Sequence, residues 1–266
     1  MDKRLAALIG LSVLVVLAGC NGATGPQSPS STTTEPGQNE TDQPEVVYNG
    51  VQLPDGTTAT HINETQVLTA QQSLLASQDY RVGINLTHAA ARGVANTTTI
   101  IASNRSHQQL YLQSNLPGRT LEEYYTANRS LSRTEIGNET SVRESEVDSF
   151  EGIHKRKARP GDLLTTLLTT AEFTAVDTTA IDGHDAIVYN ITDVSGSNSS
   201  RFPPVIERFN GSMTIDDRGL IRDISLTTLG VRNGTVEAMF QEYQTLKYGD
   251  VRVQQPGWVQ NQSQGT

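Results

Sequence analysis

Cysteine is almost missing from this chain, with one residue, Cys20, among 266. A single thiol leaves no internal disulfide, so an extracellular domain built from this sequence must rely on a packed core. Aromatic residues are also scarce, 5% of the chain with one Trp, which argues against a sugar- or base-stacking platform. Basic residues number 20 against 29 acidic, a formal charge of −9 with no basic stripe, and this speaks against nucleic acid as a partner. The leading apolar run, Leu5 to Ala18, has 14 residues, short of the roughly 20 that a helix needs to cross a bilayer.

What stands around that run is informative. Lys3 and Arg4 precede it and small residues close it, the make-up of a secretory signal that is later removed, here residues 1–19. The closing stretch Leu17-Ala18-Gly19-Cys20 resembles the lipobox of bacterial and archaeal lipoproteins. The resemblance implies that the Cys20 thiol is alkylated by lipid, that Cys20 becomes the mature amino terminus, and that it anchors the protein to the membrane. A thiolate is the side-chain nucleophile best suited to forming that thioether. The competing reading is a short membrane helix with an incidental cysteine; the length of the run and the motif at its edge count against it. One alkyl chain binds a membrane only marginally, so a stable anchor needs two chains or a second contact. No twin arginine is present, and Lys3-Arg4 leaves the export route open.

Residues 21–44, "NGATGPQSPSSTTTEPGQNETDQP", contain no Val, Ile, Leu, Met, Phe, Trp or Tyr. Such a segment cannot bury enough surface to offset its ordering entropy. Residues 20–58 therefore read as a lipidated cysteine followed by a disordered spacer, with a domain over 59–255 and a flexible tail over 256–266.

Of 15 Asn, 12 open an Asn-x-Ser/Thr sequon: Asn39, Asn63, Asn85, Asn96, Asn104, Asn128, Asn138, Asn190, Asn198, Asn210, Asn233 and Asn261. Ser and Thr together make up 53 of the 266 residues, so chance alone would place roughly three. The excess points to glycan acceptors within the domain, from Asn63 to Asn233, on an exposed, extracytoplasmic surface. Acidity, Thr richness, a lipobox and many sequons together resemble the secreted lipoproteins of salt-loving archaea.

The periodicities predict the fold. Asn63 with Gln66 makes a capping-box pattern, and Val67, Ala70 and Leu74 form a helical stripe after it. The period then changes to two: Tyr80, Val82, Ile84, Leu86 and His88 alternate with Arg81, Gly83, Asn85 and Thr87. Further strands are expected at 97–103, 108–114, 120–126, 129–135 and 140–147. A second helix follows Pro160 and Asp162, with Leu163, Leu164, Leu167 and Leu168 on one face. Strands at 172–179 and 185–193 flank Asp182-Gly183, 211–216 and 220–229 flank "DDRG", and 235–248 follows Asn233-Gly234. About nine antiparallel strands and two amphipathic helices give an α+β class: a single curved antiparallel sheet, a half-barrel, covered by the two helices.

This order, ending in "GLIRDISL", resembles the LolA/LppX-like lipoprotein fold. The resemblance implies a half-open barrel capped by helices around an apolar ligand cavity. It rests on element order, and no individual binding residue carries over from it.

Chemistry is thin. No G-x-S-x-G elbow occurs, and "VSGSNSS" at 194–200 reads as a polar loop carrying sequon Asn198. His61, His88, His107, His154 and His184 are scattered without metal-ligand spacing. His88 at the end of the inward strand face reads as a satisfied, buried imidazole. Asp216 and Asp217 lack the remaining carboxylates of a calcium loop. Neither a metal, a cofactor nor an enzymatic activity is expected. The basic run "HKRKAR", residues 154–159, has two readings. It is a solvated connection before the second helix, or Lys155, Arg156 and Lys157 touch anionic headgroups, each worth about 1 kcal/mol.

Two functions remain open. One is a lipid-anchored protein on the outer side of the membrane that binds or carries an apolar molecule or lipid beneath its sheet. The other is a glycosylated surface interaction module without a ligand. A protein partner is not indicated by any motif.

Overall fold

A computed structural model describes residues 47–159, 161–194 and 205–262. Cys20, Asn39, Asn198 and the leader and most of the spacer lie outside these residues. Two short strands come first, β1 (Val47–Tyr48) and β2 (Val51–Gln52), paired antiparallel. Helix α1 (Glu64–Ser77) begins where the capping pattern placed it: Asn63 Oδ1 accepts from Gln66 N at 3.1 Å. The Asn63 N–H donates instead to Gly56 O at 2.6 Å, which ties the helix start to the preceding loop.

Six strands follow as a meander: β3 (Tyr80–Ala90), β4 (Gly93–Asn104), β5 (Gln109–Leu116), β6 (Arg119–Tyr125), β7 (Arg129–Ile136) and β8 (Glu139–Glu146). Two helices, α2 (Phe150–Lys157) and α3 (Asp162–Thr170), lead to five more strands. These are β9 (Glu172–Ile181), β10 (His184–Asp193), β11 (Val205–Asp216), β12 (Ile221–Arg232) and β13 (Thr235–Tyr248). All eleven form one antiparallel sheet in the order β8-β7-β6-β5-β4-β3-β13-β12-β11-β10-β9. The sheet is open, and β13 joins its two halves by pairing with β3. These eleven strands fall one for one on the eleven segments that the periodicities mark, which a total of about nine undercounts, and tight turns join most of them. At two of these turns Asp182-Gly183 and Asn233-Gly234 supply the consecutive positive φ values, 54° and 80°, 51° and 74°, that a right-twisted hairpin demands.

Period-two alternation gives the sheet two unlike faces. The inner face carries Tyr80 and Val82 of β3, Ile224 and Leu226 of β12, Met213 and Ile215 of β11, and Ile187 and Tyr189 of β10, all buried. Against it lie Val67 and Leu75 of α1 and Leu164, Leu167 and Leu168 of α3, in one continuous core. A third helix shares this face, contrary to the expected two. The first four residues of the basic run, His154 to Lys157, belong to α2, whose Phe150 packs on Leu110, Leu112 and Tyr125. Ser149 caps α2 through its hydroxyl, which accepts from Gly152 N at 3.2 Å.

The ordered fold also extends past both expected boundaries. Leu53 is part of the core, Thr57 bridges Ile62, and Ala175 N donates to Ala59 O at 2.7 Å, so residues before 59 already belong to the fold. At the other end α4 (Gly257–Gln262) buries Val259 against Tyr124 and Leu131 on the outer face, where a flexible tail was expected. Isolated apolar residues in polar surroundings decide both cases, and such residues leave no periodic signal.

Candidate functional site on the inner face of the sheet

The helices cover the inner face unevenly. Along β3, Tyr80 and Val82 are buried, whereas Ile84 and Leu86 are half-exposed, and His88, expected to be buried, has a side chain 40% exposed with Nε2 3.6 Å from Glu237 Oε2, because no helix covers this end of the strand. The register places Ser103, Ile101, Thr99 and Thr97 of β4 beside them in the same succession. Next come Leu110, Leu112 and Ser114 of β5, then Tyr125, Glu123 and Leu121 of β6. In each strand the first positions are sealed and the later ones accessible. The accessible part combines aliphatic side chains (Ile84, Leu86, Leu121) with hydroxyls (Thr97, Thr99, Ser114). On the other side of β3 the inner positions of β13 and β12 stay buried, including Met239, Gln241 and Thr228.

Two polar networks lock the helices to this face. Gln71 of α1 is fully buried; its Nε2 donates to Tyr243 Oη at 2.7 Å, and its Oε1 accepts from Ile221 N at 2.7 Å. Burial pushes the Tyr243 hydroxyl up to about 12, so it stays protonated. His154 of α2 is likewise buried, with Nδ1 2.7 Å from Ser103 Oγ and Nε2 3.1 Å from Ala76 O. Desolvation holds its pKa below the ordinary value. The hydroxyl and imidazole have the form of a nucleophile and its base, but both are sealed and the second ring nitrogen is committed to a carbonyl. Sequence reading paired neither Gln71 with the strand backbone nor Ser103 with His154, because both contacts span distant parts of the chain.

The sequon asparagines fall into a pattern. Those on strands, Asn85, Asn96, Asn104, Asn190 and Asn210, all lie on the outer face, since the inner-facing residues are their neighbours in register. The sequon spacing matches the strand period, so the hydroxyl residue at the second position beyond falls on the same face. Asn96, Asn190 and Asn210 are exposed; so are Asn63 at the α1 cap, Asn128 and Asn138 in turns, and Asn233 in its hairpin. Asn85 is half-buried and its Nδ2 donates to Glu242 Oε2 at 2.8 Å. Asn104 differs most: it is buried, its Nδ2 donates to Val251 O at 2.6 Å, and its Oδ1 accepts from His107 N at 2.8 Å. The folded chain does not present Asn104 as an acceptor.

The basic run is largely engaged with acids. Lys157 Nζ lies 2.7 Å from Glu123 Oε2 and over the Tyr125 ring, and Lys155 Nζ lies 3.3 Å from Glu151 Oε1. Arg105 grips Glu151 at 3.0 and 3.1 Å and lowers its pKa. Lys155 and Arg156 remain exposed. Asp216, fully buried, accepts from Leu220 N at 3.0 Å and pairs with Arg218 Nη2 at 2.5 Å, and so it closes its turn. Among the described residues no group of three or more His, Cys, Asp or Glu side chains is placed to hold a metal ion. No helix among them is long and apolar enough to cross a membrane.

A family model matches residues 4–262, nearly the whole chain. The chain belongs to the family of unknown function DUF7537. No curated protein matches this DUF7537 chain in sequence. Solved structures similar to it include a DUF1329 family protein from Desulfovibrio piger, 12% identical over 72% of this chain and 93% of that one, TM-score 0.26. Lipoprotein LppX of Mycobacterium tuberculosis is 13% identical over 67% and 94%, TM-score 0.27. The MucA/MucB complex of Pseudomonas aeruginosa matches at 12% over 73% and 64%, TM-score 0.23. These likenesses are remote, and no role is taken from them.

Proposed function

We propose that this DUF7537 protein is a lipid-anchored, glycosylated, extracytoplasmic protein that takes up an apolar molecule or lipid on the accessible part of its inner face. The observation that carries the reading is the uneven cover of that face: Ile84, Leu86 and Leu121 stay accessible within a sheet whose adjoining rows are sealed. Full burial of such a side chain from water is worth roughly 1.5–3 kcal/mol, and these half-exposed ones would gain the remaining part of it, so an apolar occupant has a driving force there. The neighbouring threonines and Ser114 would meet a polar portion of the same ligand. Glycans on the opposite face would leave this one open to approach. Cys20 supplies the anchor, and exposed Lys155 and Arg156 of α2 add a second contact with anionic headgroups.

The direct test is extraction of the full-length protein from its native membrane, followed by mass spectrometry for a co-purifying lipid. A stoichiometric lipid that is lost in Leu86→Arg supports the proposal. A ligand-free protein with unchanged behaviour in that variant removes it. For the anchor, Cys20→Ser should release the protein into the medium or leave the precursor uncut, and an unchanged membrane fraction would contradict it. Replacing Lys155, Arg156 and Lys157 with Gln should weaken binding to anionic vesicles. One observation favours the second reading, a surface module without ligand: the accessible rows of β4 carry Thr97 and Thr99 where a carrier would place aliphatic residues.

A further inference from the structure

After β13 the chain turns back and crosses the outer face of the sheet as a strap. Its first anchor is polar: Gly249 N donates to Asp79 O at 2.7 Å, and buried Val251 offers its carbonyl to Asn104 Nδ2 at 2.6 Å. Its second anchor is apolar, the packing of Val259 on Tyr124 and Leu131. Between the two, residues 252–257 roof a cavity of about 520 Å³ over the outer face of β3, β4 and β5. Ile100, Ala102 and Tyr111 form its floor. Arg81 enters from β3 and Arg252 from the strap, and among the described residues no carboxylate lines the space.

That charge is unusual here. Acidic residues outnumber basic ones by 29 to 20, yet this cavity holds two guanidinium groups whose side chains have no ion pair or hydrogen bond among the described residues. The nearby Glu122, which accepts from the Tyr111 hydroxyl at 2.6 Å, is already paired with Arg133. Two guanidinium forks suit a planar carboxylate better than a single point charge does. Gln113 on the floor and Gln254 and Gln255 in the roof add amides that both donate and accept, the chemistry of hydroxyl recognition. An aliphatic floor beside one tyrosine ring seats the apolar face of a single pyranose, with no need for a stack of aromatic rings.

We infer that the cavity beneath the strap binds a carboxylated sugar, with Arg81 and Arg252 holding the carboxylate. This site lies on the face opposite the proposed apolar one and does not depend on it. A free sugar acid and an acidic residue within a surface polysaccharide share this chemistry.

The test is calorimetric titration of the full chain with glucuronate, galacturonate, glucose and inorganic sulfate, and with an oligogalacturonate to tell the two sources apart. Saturable binding of a sugar acid without binding of glucose is expected. Arg81→Gln and Arg252→Gln should each weaken it by about tenfold or more, the effect of losing a charge-assisted bond. Arg92→Gln, at the opposite end of β3 and β4, should leave it unchanged. Tighter binding of the oligomer than of the monomer assigns the polysaccharide, and equal binding assigns the free sugar acid. The inference falls if neither sugar acid binds saturably, if glucose binds equally well, if sulfate alone binds, or if both arginine variants bind like the parent.

Discussion

Ser103 Oγ lies 2.7 Å from His154 Nδ1, and this contact joins β4 to α2 beneath the end of α1. The other ring nitrogen faces Ala76 O, which can only accept, so Nε2 carries the proton and Nδ1 accepts from the serine hydroxyl. The imidazole is therefore held neutral in a site closed by Tyr80 and Phe150. Glu151 and Asp79 draw its pKa upward and Arg105 downward, but desolvation is the largest effect and the net shift is downward from 6.5.

A pH dependence follows with a definite sign. Because the folded pKa is below the unfolded one, the stabilisation is complete above about pH 6.5 and is lost as pH falls through the folded value. Denaturation midpoints measured from pH 8 down to pH 5 should decline, and His154→Gln should show a shallower decline from a lower starting point. Parallel curves for the two proteins would contradict the assignment.

Gln71 offers a sharper test of helix docking. Gln71→Leu keeps an apolar contact but leaves the buried Ile221 N–H without its acceptor and Tyr243 Oη without its donor. The expected loss is about 1–3 kcal/mol in urea unfolding, larger than a change of side-chain volume alone would give. A variant as stable as the parent would mean that water replaces the amide.

Close approach of two side chains constrains Gly211. A Cβ there would stand 2.6 Å from Leu226 Cδ2 and 3.2 Å from the Ile191 side chain, both buried on the inner face. Gly211→Ala should cost about 1–3 kcal/mol through overpacking, and Leu226→Ala in the same chain should recover part of that loss. Absence of recovery would place the strain elsewhere.

Glycan occupancy should follow the face and not the motif. Peptide mapping of native protein should find modification among Asn96, Asn128, Asn138, Asn190, Asn210 and Asn233, which are exposed, and none at Asn104. Asn104→Ala should also destabilise the protein by about 1–3 kcal/mol, because Val251 O and His107 N lose their partner. A modified Asn104 in folded protein would require the strap to be detached.

Local rules account for much of what is seen. The Asn63 cap, the alternation from Tyr80 to His88, the Leu164, Leu167 and Leu168 stripe and the Asp182-Gly183 and Asn233-Gly234 turns each act over a few residues, so they are legible in one dimension. The open antiparallel sheet with helices on its apolar face follows from them, as does the outward direction of strand sequons, whose spacing equals the strand period. The helical state of "HKRKAR" was not legible, because polar and basic residues give it no apolar stripe. Its place is set by Phe150 and His154 meeting strands β4 to β6.

Tertiary structure alone decided which half of the inner face is sealed, which asparagine is hidden, and that Arg81 and Arg252 line one cavity. Each of these depends on residues far apart in the chain, such as Asn104 with Val251 and Gln71 with Tyr243. Alternation in a strand says which way a side chain points, but not what lies above it. Cover is a property of the other elements, and the strap and the third helix acquire their positions only once the sheet exists to receive them.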